Sequence, residues 1–341
     1  MPAGLVTLFA GLVLMALAFV PGSSAWRTMH DVLFGLFGCG SFVVGAALCY
    51  LAILYTRGED LLPHIAKLML GLIFASGTVI VFSDIPTDQT AAQMTPELAA
   101  LCPECVYVPL ELLAENPSVA DAFRENGAEI VAALPSVAFG EKEESELRAL
   151  LAKVHESGVT QALTGNLGLA MMAGQEGFRI RGDFDLAVMN SYTLSGMASA
   201  GFLSAMLSPE LTFADIREMP KCMDAELAIY GRLPVMVTQT CLLKASAGRC
   251  TCTTPGQMAD THGGVWPVTK HFGCRNTVWA ARKLWLGDVT QEWIDLGLWA
   301  VRLCFSTESA RECLEVAESY IQGTHYKPNG ITRGLYYRGV L

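Results

Sequence analysis

Three apolar runs near the amino terminus, Gly4–Val20, Val32–Tyr55 and Ile65–Phe82, constrain this chain more than any other feature. A helix needs about 20 apolar residues to cross a hydrocarbon core of about 30 Å. The middle run meets that length with room to tilt, and the outer two fall within the usual range. Six charged residues occur between Met1 and Phe82, and all but Lys67 lie in the connecting segments "PGSSAWRTMHD" and "TRGEDLLPH". Gly35, Gly38, Gly40, Gly45, Ala46 and Ala47 would let helices of such a bundle pack closely. The first 26 residues hold no Lys or Arg, which argues against a cleaved signal peptide. The expectation is a multi-pass membrane protein. Three transmembrane α-helices occupy a region at 1–83, with lipid as the partner of residues 4–82.

A polar, proline-bearing linker follows at 84–103, and after it the pattern changes. Short β-type runs alternate with helical ones. The expected strands are Val106–Pro109, Glu129–Leu134, Thr160–Thr164, Arg179–Val188, Phe202–Leu207 and Glu226–Val237. The clearest helix is Glu143–Ser157, whose Leu147, Leu150, Leu151 and Val154 share one face. Alternating strands and helices imply a parallel sheet, doubly wound or closed into a (β/α) barrel. Six strands are too few for a whole barrel. The expected fold class is therefore transmembrane helices followed by an α/β domain, a partial (β/α) barrel at 104–240 with a cysteine-rich carboxy-terminal extension at 241–341. In a barrel, polar residues at strand ends face the active side. That singles out Asn166, Asp183, Asp185, Asn190, Ser208 and Glu210, of which Asn166, Asp183, Asn190 and Glu210 are the catalytic candidates, although each also suits a turn or a helix cap.

Four of the eleven cysteines, Cys241, Cys250, Cys252 and Cys274, fall in one irregular stretch rich in Gly, Thr and Pro. Four thiolates surround zinc tetrahedrally or hold an iron–sulfur cluster. Their spacings of eight, one and twenty-one intervening residues suit a cluster better than zinc, which prefers Cys-x-x-Cys pairs; zinc stays open as the alternative. Reduced thiols place the carboxy-terminal domain on the cytoplasmic side. His271, beside the last thiol, is the histidine to test as a catalytic base. Arg275, Arg333 and Arg338 are candidate substrate-binding residues. The formal charge of −10 disfavours bulk attraction to nucleic acid.

Two resemblances follow from these segments. "LFGLFGCGSFVVGAALCYLAILY" and the spacing of the apolar runs around it resemble the amino-terminal membrane region of the FtsK/SpoIIIE DNA translocases. No GxxxxGK[ST] occurs, so the translocase motor is missing. "TGNLG", "GDFDLAVMNSYT", "LSPELT", "AELAIYGRLPVMVTQTC", "WPVTKHFGCR", "VRLCFSTES" and "TRGLYYRGVL" look like peptidase family U32, the collagenase-like proteins, in the family's order. This second resemblance implies a (β/α) barrel and a four-iron cluster on Cys241, Cys250, Cys252 and Cys274. It also implies a role in hydroxylating RNA bases or a small aromatic substrate without oxygen gas. The family name implies the alternative, a peptidase acting on a peptide substrate. A third possibility is a catalytically inactive, membrane-anchored metal-binding fusion. The family's opening "LAPAG"-like strand–helix units are absent, so the expected barrel is incomplete: either a partner chain supplies the missing units, or the fold closes differently, or the chain is a fusion that does not act as a whole enzyme.

Overall fold

The computed structural model describes residues 79–83, 91–249, 255–324 and 326–339. The chain divides into two units, 1–78 and 79–341, and the described residues all belong to the second.

The strand-and-helix rhythm resolves into seven parallel strands in chain order: β1 (Val79–Ser83), β2 (Cys105–Pro109), β3 (Glu129–Ala133), β4 (Gln161–Thr164), β5 (Arg179–Gly182), β6 (Ser204–Met206) and β7 (Asp224–Gly231). Each pairs in parallel with the next. The chain then leaves the sheet through β8 (Pro234–Thr238), β9 (Gly256–Ala259), β10 (Val265–His271), β11 (Arg275–Trp279) and β12 (Lys283–Trp285). It returns as β13 (Ala300–Cys304), which lies parallel to both β7 and β1. Eight parallel strands thus close into a ring. A short β14 (Ile331–Thr332) pairs with β12, which runs antiparallel to β7.

This closure corrects the expected partial barrel. The two strands needed to complete it stand where they were not sought. One is β13, inside the segment expected to be a cysteine-rich extension. The other is β1, whose residues Val79–Phe82 end the third apolar run. Strands of parallel sheets read as near-continuous apolar runs, so the sequence of β1 imitates the end of a membrane span. Among the described residues the ring closes within the chain, through the pairing of β13 with both β1 and β7. The membrane placement is corrected too: among the described residues no helix is long and apolar enough to cross a bilayer. The runs Gly4–Val20 and Val32–Tyr55, and the third run up to residue 78, lie outside the described residues.

The helices form where sequence and caps agree. The helix Gly140–Glu156 buries Leu147, Leu151 and Val154, has Glu141 and Glu143 in its first turn, and has Lys153 and His155 in its last, matching its dipole. Ala310–Gln322 is capped by the Ser309 hydroxyl and ends on Gly323 in the left-handed region. Its Tyr320 hydroxyl donates to the Ile229 carbonyl at 2.8 Å and accepts from the Leu286 amide at 2.9 Å. At the β7–β13 seam the backbones approach so closely that a Cβ on Gly231 would sit 1.9 Å from the Cys304 carbonyl oxygen. Only glycine fits there.

Inside the ring, side chains alternate inward along each strand. Small apolar groups from Cys105, Val131, Ala133, Leu163 and Ala300 form part of the filling. The rest is charged. The fully buried Glu226 accepts hydrogen bonds from Tyr107 (2.7 Å), Ser204 (2.6 Å) and Arg302 (2.6 Å). Arg302 also reaches Asp183 at 2.6 Å and lies 4.4 Å over the Tyr107 ring. Burial pushes the Glu226 carboxyl upward, but the Arg302 charge and these donors outweigh it and hold the group below its ordinary value. A second layer joins Arg181 to Gln161 (2.7 Å), Ser204 (3.0 Å) and Glu129 (3.1 Å).

Candidate functional site at the barrel mouth

The strands β8, β11, β10 and β9 form an antiparallel sheet in that order. It is fastened over the carboxy-terminal end of the barrel strands by Arg275. This side chain is 2 % exposed and bidentate to Glu143, with both N–O distances 3.0 Å. It also donates to Gln239 (2.7 Å) and lies 4.9 Å over the Phe139 ring. Its donors are directed inward, to the protein itself. Between this lid and the barrel mouth is a cavity of about 590 Å³, within the range of small-molecule sites. Barrel reactions take place at this end of the strands.

Three barrel loops and the lid build the walls. Asp183 follows β5 and is anchored by Arg302. Its Oδ1 also accepts the Phe184 amide at 2.9 Å, which starts a short 3-10 turn, Phe184–Leu186. That turn ends on Ala187 in the left-handed region at φ 48°, a conformation that costs a non-glycine residue about 1 kcal/mol or more. The strained turn carries Asp185 into the cavity, packed on Gly165, where a Cβ would lie 2.4 Å from that of Asp185. Desolvation, with the Asp183 carboxylate beside it, raises the Asp185 pKa to about 6. Glu111, Glu115 and Glu146 line the cavity as well, and Lys270 is the lysine among its lining residues. Burial raises the Glu111 pKa too.

The lid contributes His271. Its Nε2 lies 3.4 Å from the Ser136 hydroxyl and its Nδ1 3.4 Å from that of Thr277. Desolvation and the nearby Arg275 charge push its pKa down to about 4, against the opposing pull of Glu143. The imidazole is therefore neutral at physiological pH.

The candidates named from sequence fall into two groups. Asp183, His271 and Cys274 line the cavity. Asn166 caps the helix Leu167–Gln175, accepting the Gly168 amide at 2.9 Å, and its side-chain amide donates to the Ser136 carbonyl at 3.3 Å. Asn190 caps Ser191–Ser199, accepting the Thr193 amide at 2.9 Å. Glu210 is exposed at the start of the next helix. Arg333 is paired with Asp288 at 2.8 Å and Arg338 is exposed near the carboxy terminus. Ser136 and Thr277 carry no motif, and nothing short of the fold joins Ser136 to a histidine 135 positions away. Asp185 had a sequence signal, two acids flanking a turn after a strand.

Of the four clustered thiols, Cys241 and Cys274 are described. Thr238 at the end of β8 pairs with Asn276 near the start of β11, which places both thiols at the same end of two neighbouring antiparallel strands. Cys241 Sγ accepts the Lys244 amide at 3.4 Å. Cys274 follows Gly273, and both are left-handed, at φ 64° and 67°. Cys250 and Cys252 lie outside the described residues. Among the described residues no three His, Cys, Asp or Glu side chains converge as a metal site.

Residues 112–257 match the family described as Peptidase family U32. No curated protein matches the chain. Among solved structures, the chain is similar to the U32 peptidase Mk0906 at 12 % identity, covering 68 % of this chain and 94 % of that one with a TM-score of 0.40. It is similar to orotidine 5'-phosphate decarboxylase from Pyrococcus horikoshii OT3 at 11 % identity, covering 72 % and 100 % with a TM-score of 0.39. A GH18 chitinase from Cycas revoluta follows at 10 % identity, 72 % and 98 % coverage and a TM-score of 0.33. Likenesses this loose say nothing about chemistry. The family match does not include the first 78 residues, on which the resemblance to the FtsK/SpoIIIE membrane region rests. Residues 112–257 of this chain are a Peptidase family U32 domain.

Proposed function

We propose that this is a U32-type enzyme that binds a small aromatic substrate in the mouth cavity and modifies it, with a four-iron cluster held by Cys241, Cys250, Cys252 and Cys274 at the cavity's edge. The observation that carries this reading is the placement of Cys274 in the cavity wall with Cys241 at the matching end of the neighbouring strand. The donor chemistry fits. Cys241 Sγ accepts a backbone amide, and the left-handed pair Gly273–Cys274 directs the chain abruptly at the rim. When bound, a cluster supplies electrons one at a time, which the side chains here cannot do.

The chain's own residues do the rest. Asp185, with a pKa near 6, donates or accepts a proton near neutral pH. Desolvation in the cavity wall, and secondarily the Asp183 carboxylate beside it, keeps Asp185 there. The Arg275–Glu143 clasp holds the lid over the cavity. With Glu111, Glu115, Glu146, Asp183 and Asp185 against Lys270, the lining favours a small aromatic over the phosphates of an RNA.

The test is anaerobic purification of the full chain, followed by iron, zinc and labile-sulfide analysis and an absorbance spectrum. A brown protein with about four iron and four sulfide per chain is expected, with iron lost in Cys274→Ser. A colourless protein holding one zinc would replace the cluster with a structural site and sink the redox reading.

A further inference from the structure

We propose that Ser136 and His271 form a nucleophile–base pair, and that the mouth cavity thereby performs acyl transfer on an ester or amide carrying a positive charge. This activity does not depend on the iron–sulfur reading, and it gives the collagenase-like alternative a named chemistry.

The geometry starts with the loop after β3. Pro135 fixes the chain direction there, and Asn166 holds the Ser136 carbonyl at 3.3 Å from the next barrel loop. The Ser136 hydroxyl makes its side-chain contact with His271 Nε2, at 3.4 Å. The opposite ring nitrogen faces the Thr277 hydroxyl at the same distance. With Nδ1–H donating to Thr277, Nε2 turns its lone pair toward the serine, as a general base must. Separations of this size are usual before substrate draws such a pair together. All three residues line the cavity. Their neutral histidine is the form able to accept a proton.

The substrate class follows from the walls. Five carboxylates face one lysine there, and one of the five, Asp183, is neutralised by Arg302. The remainder attract a cationic group and stabilise the imidazolium as it forms. The reaction balances without a redox partner. Ser136 Oγ attacks the acyl carbon while its proton passes to Nε2. The bond to the leaving amine or alcohol breaks and takes that proton. Water then attacks the acyl-serine, gives its proton to Nε2, and the proton returns to Ser136 as the acid departs. One water is consumed, and one acid and one amine or alcohol are released.

The experiment treats the full chain with two fluorophosphonates, one bearing an alkylammonium group and one neutral, and locates the adduct by peptide mass mapping. One adduct on Ser136 is expected, formed at least tenfold faster with the cationic probe. Ser136→Ala abolishes it, and His271→Asn slows it by two orders of magnitude or more. Should His271→Asn misfold by circular dichroism, Thr277→Val serves in its place, with an expected slowing of about tenfold. No adduct on Ser136 in folded protein, or labelling at the wild-type rate in a folded base variant, overturns the pair. Faster labelling by the neutral probe overturns the assigned substrate charge. Iron is measured on the same sample: iron without an adduct sinks this proposal alone, and an adduct without iron sinks only the cluster.

Discussion

The barrel interior and the mouth cavity treat charge in opposite ways. Inside the ring Glu226, Arg302 and Asp183 form one chain of short contacts, and Arg181 is bound on three sides. At the mouth, Asp185, Glu111, Glu115 and Glu146 line the cavity with no salt bridge among the described residues. The same residue types thus hold the fold together in one place and weigh against it in the other. Carboxylates left without cations in a cleft mark a site where something else is meant to meet them. Asp183 belongs to both regions: its Arg302 contact is structural, and its charge adds to the desolvation that raises the pKa of Asp185.

The largest effect should come from breaking the interior. Arg302→Met leaves Glu226 fully buried without its cation and releases Asp183. A loss of about 3–5 kcal/mol is expected from urea unfolding. The double variant Arg302→Met/Glu226→Gln should recover part of that loss, because it removes the stranded charge. A cost below about 1 kcal/mol for the single variant would mean that the network does not hold the barrel.

The next tests the seam. Val81 pairs with Arg302 on one side and Cys105 on the other. Val81→Pro in the full chain removes a ladder amide between two parallel strands, and a loss of about 3 kcal/mol is expected. Limited proteolysis should then cut the β13 side of the ring faster. An unchanged unfolding midpoint would show that the barrel stands without β1.

The seam is also where the sequence was hardest to read. The interior strands β2 to β7 show themselves as short runs between turns and helical patterns, and the helix at 140–156 shows its face through Leu147, Leu151 and Val154. Val79–Ser83 is set off only by Ser76-Gly77-Thr78 inside an uncharged run from Leu68 to Phe82, so length and hydropathy read it as the end of a span. β13 is preceded by the aromatic-rich segment 293–299 and lies far from its neighbour β1 in the chain, so pattern alone does not pair them. The site divides in the same way. Asp183 and Cys274 stand in recognisable local motifs. Ser136 becomes meaningful only when the lid brings His271 to it, and Arg275, a basic residue beside a thiol, looks like a substrate ligand until Glu143 takes both arms of its guanidinium.

The smallest effect separates the two titrating groups of the cavity by their opposite linkage to pH. Asp185 has its folded pKa raised from 3.8 to about 6. Between those values the folded state holds more protons than the unfolded, so stability falls as pH rises. His271 has its pKa lowered from 6.5 to about 4. Over nearly the same window the folded state holds fewer protons, so stability rises with pH. In the wild type the two slopes oppose each other, leaving a shallow dependence between pH 4 and 6. Asp185→Asn should expose the histidine, with an unfolding free energy that climbs from pH 4 to 6.5 by up to about 1.4 kcal/mol per pH unit. His271→Asn should expose the aspartate, with stability that declines over pH 4 to 6. The aspartate's share is expected on the order of 1 kcal/mol, because Asp185 is exposed to solvent in the cavity and its charge is partly screened. At pH 7 Asp185→Asn should therefore stabilise, opposite in sign to Arg302→Met, and a loss of stability there would erase the contrast between a paired interior and an unpaired mouth.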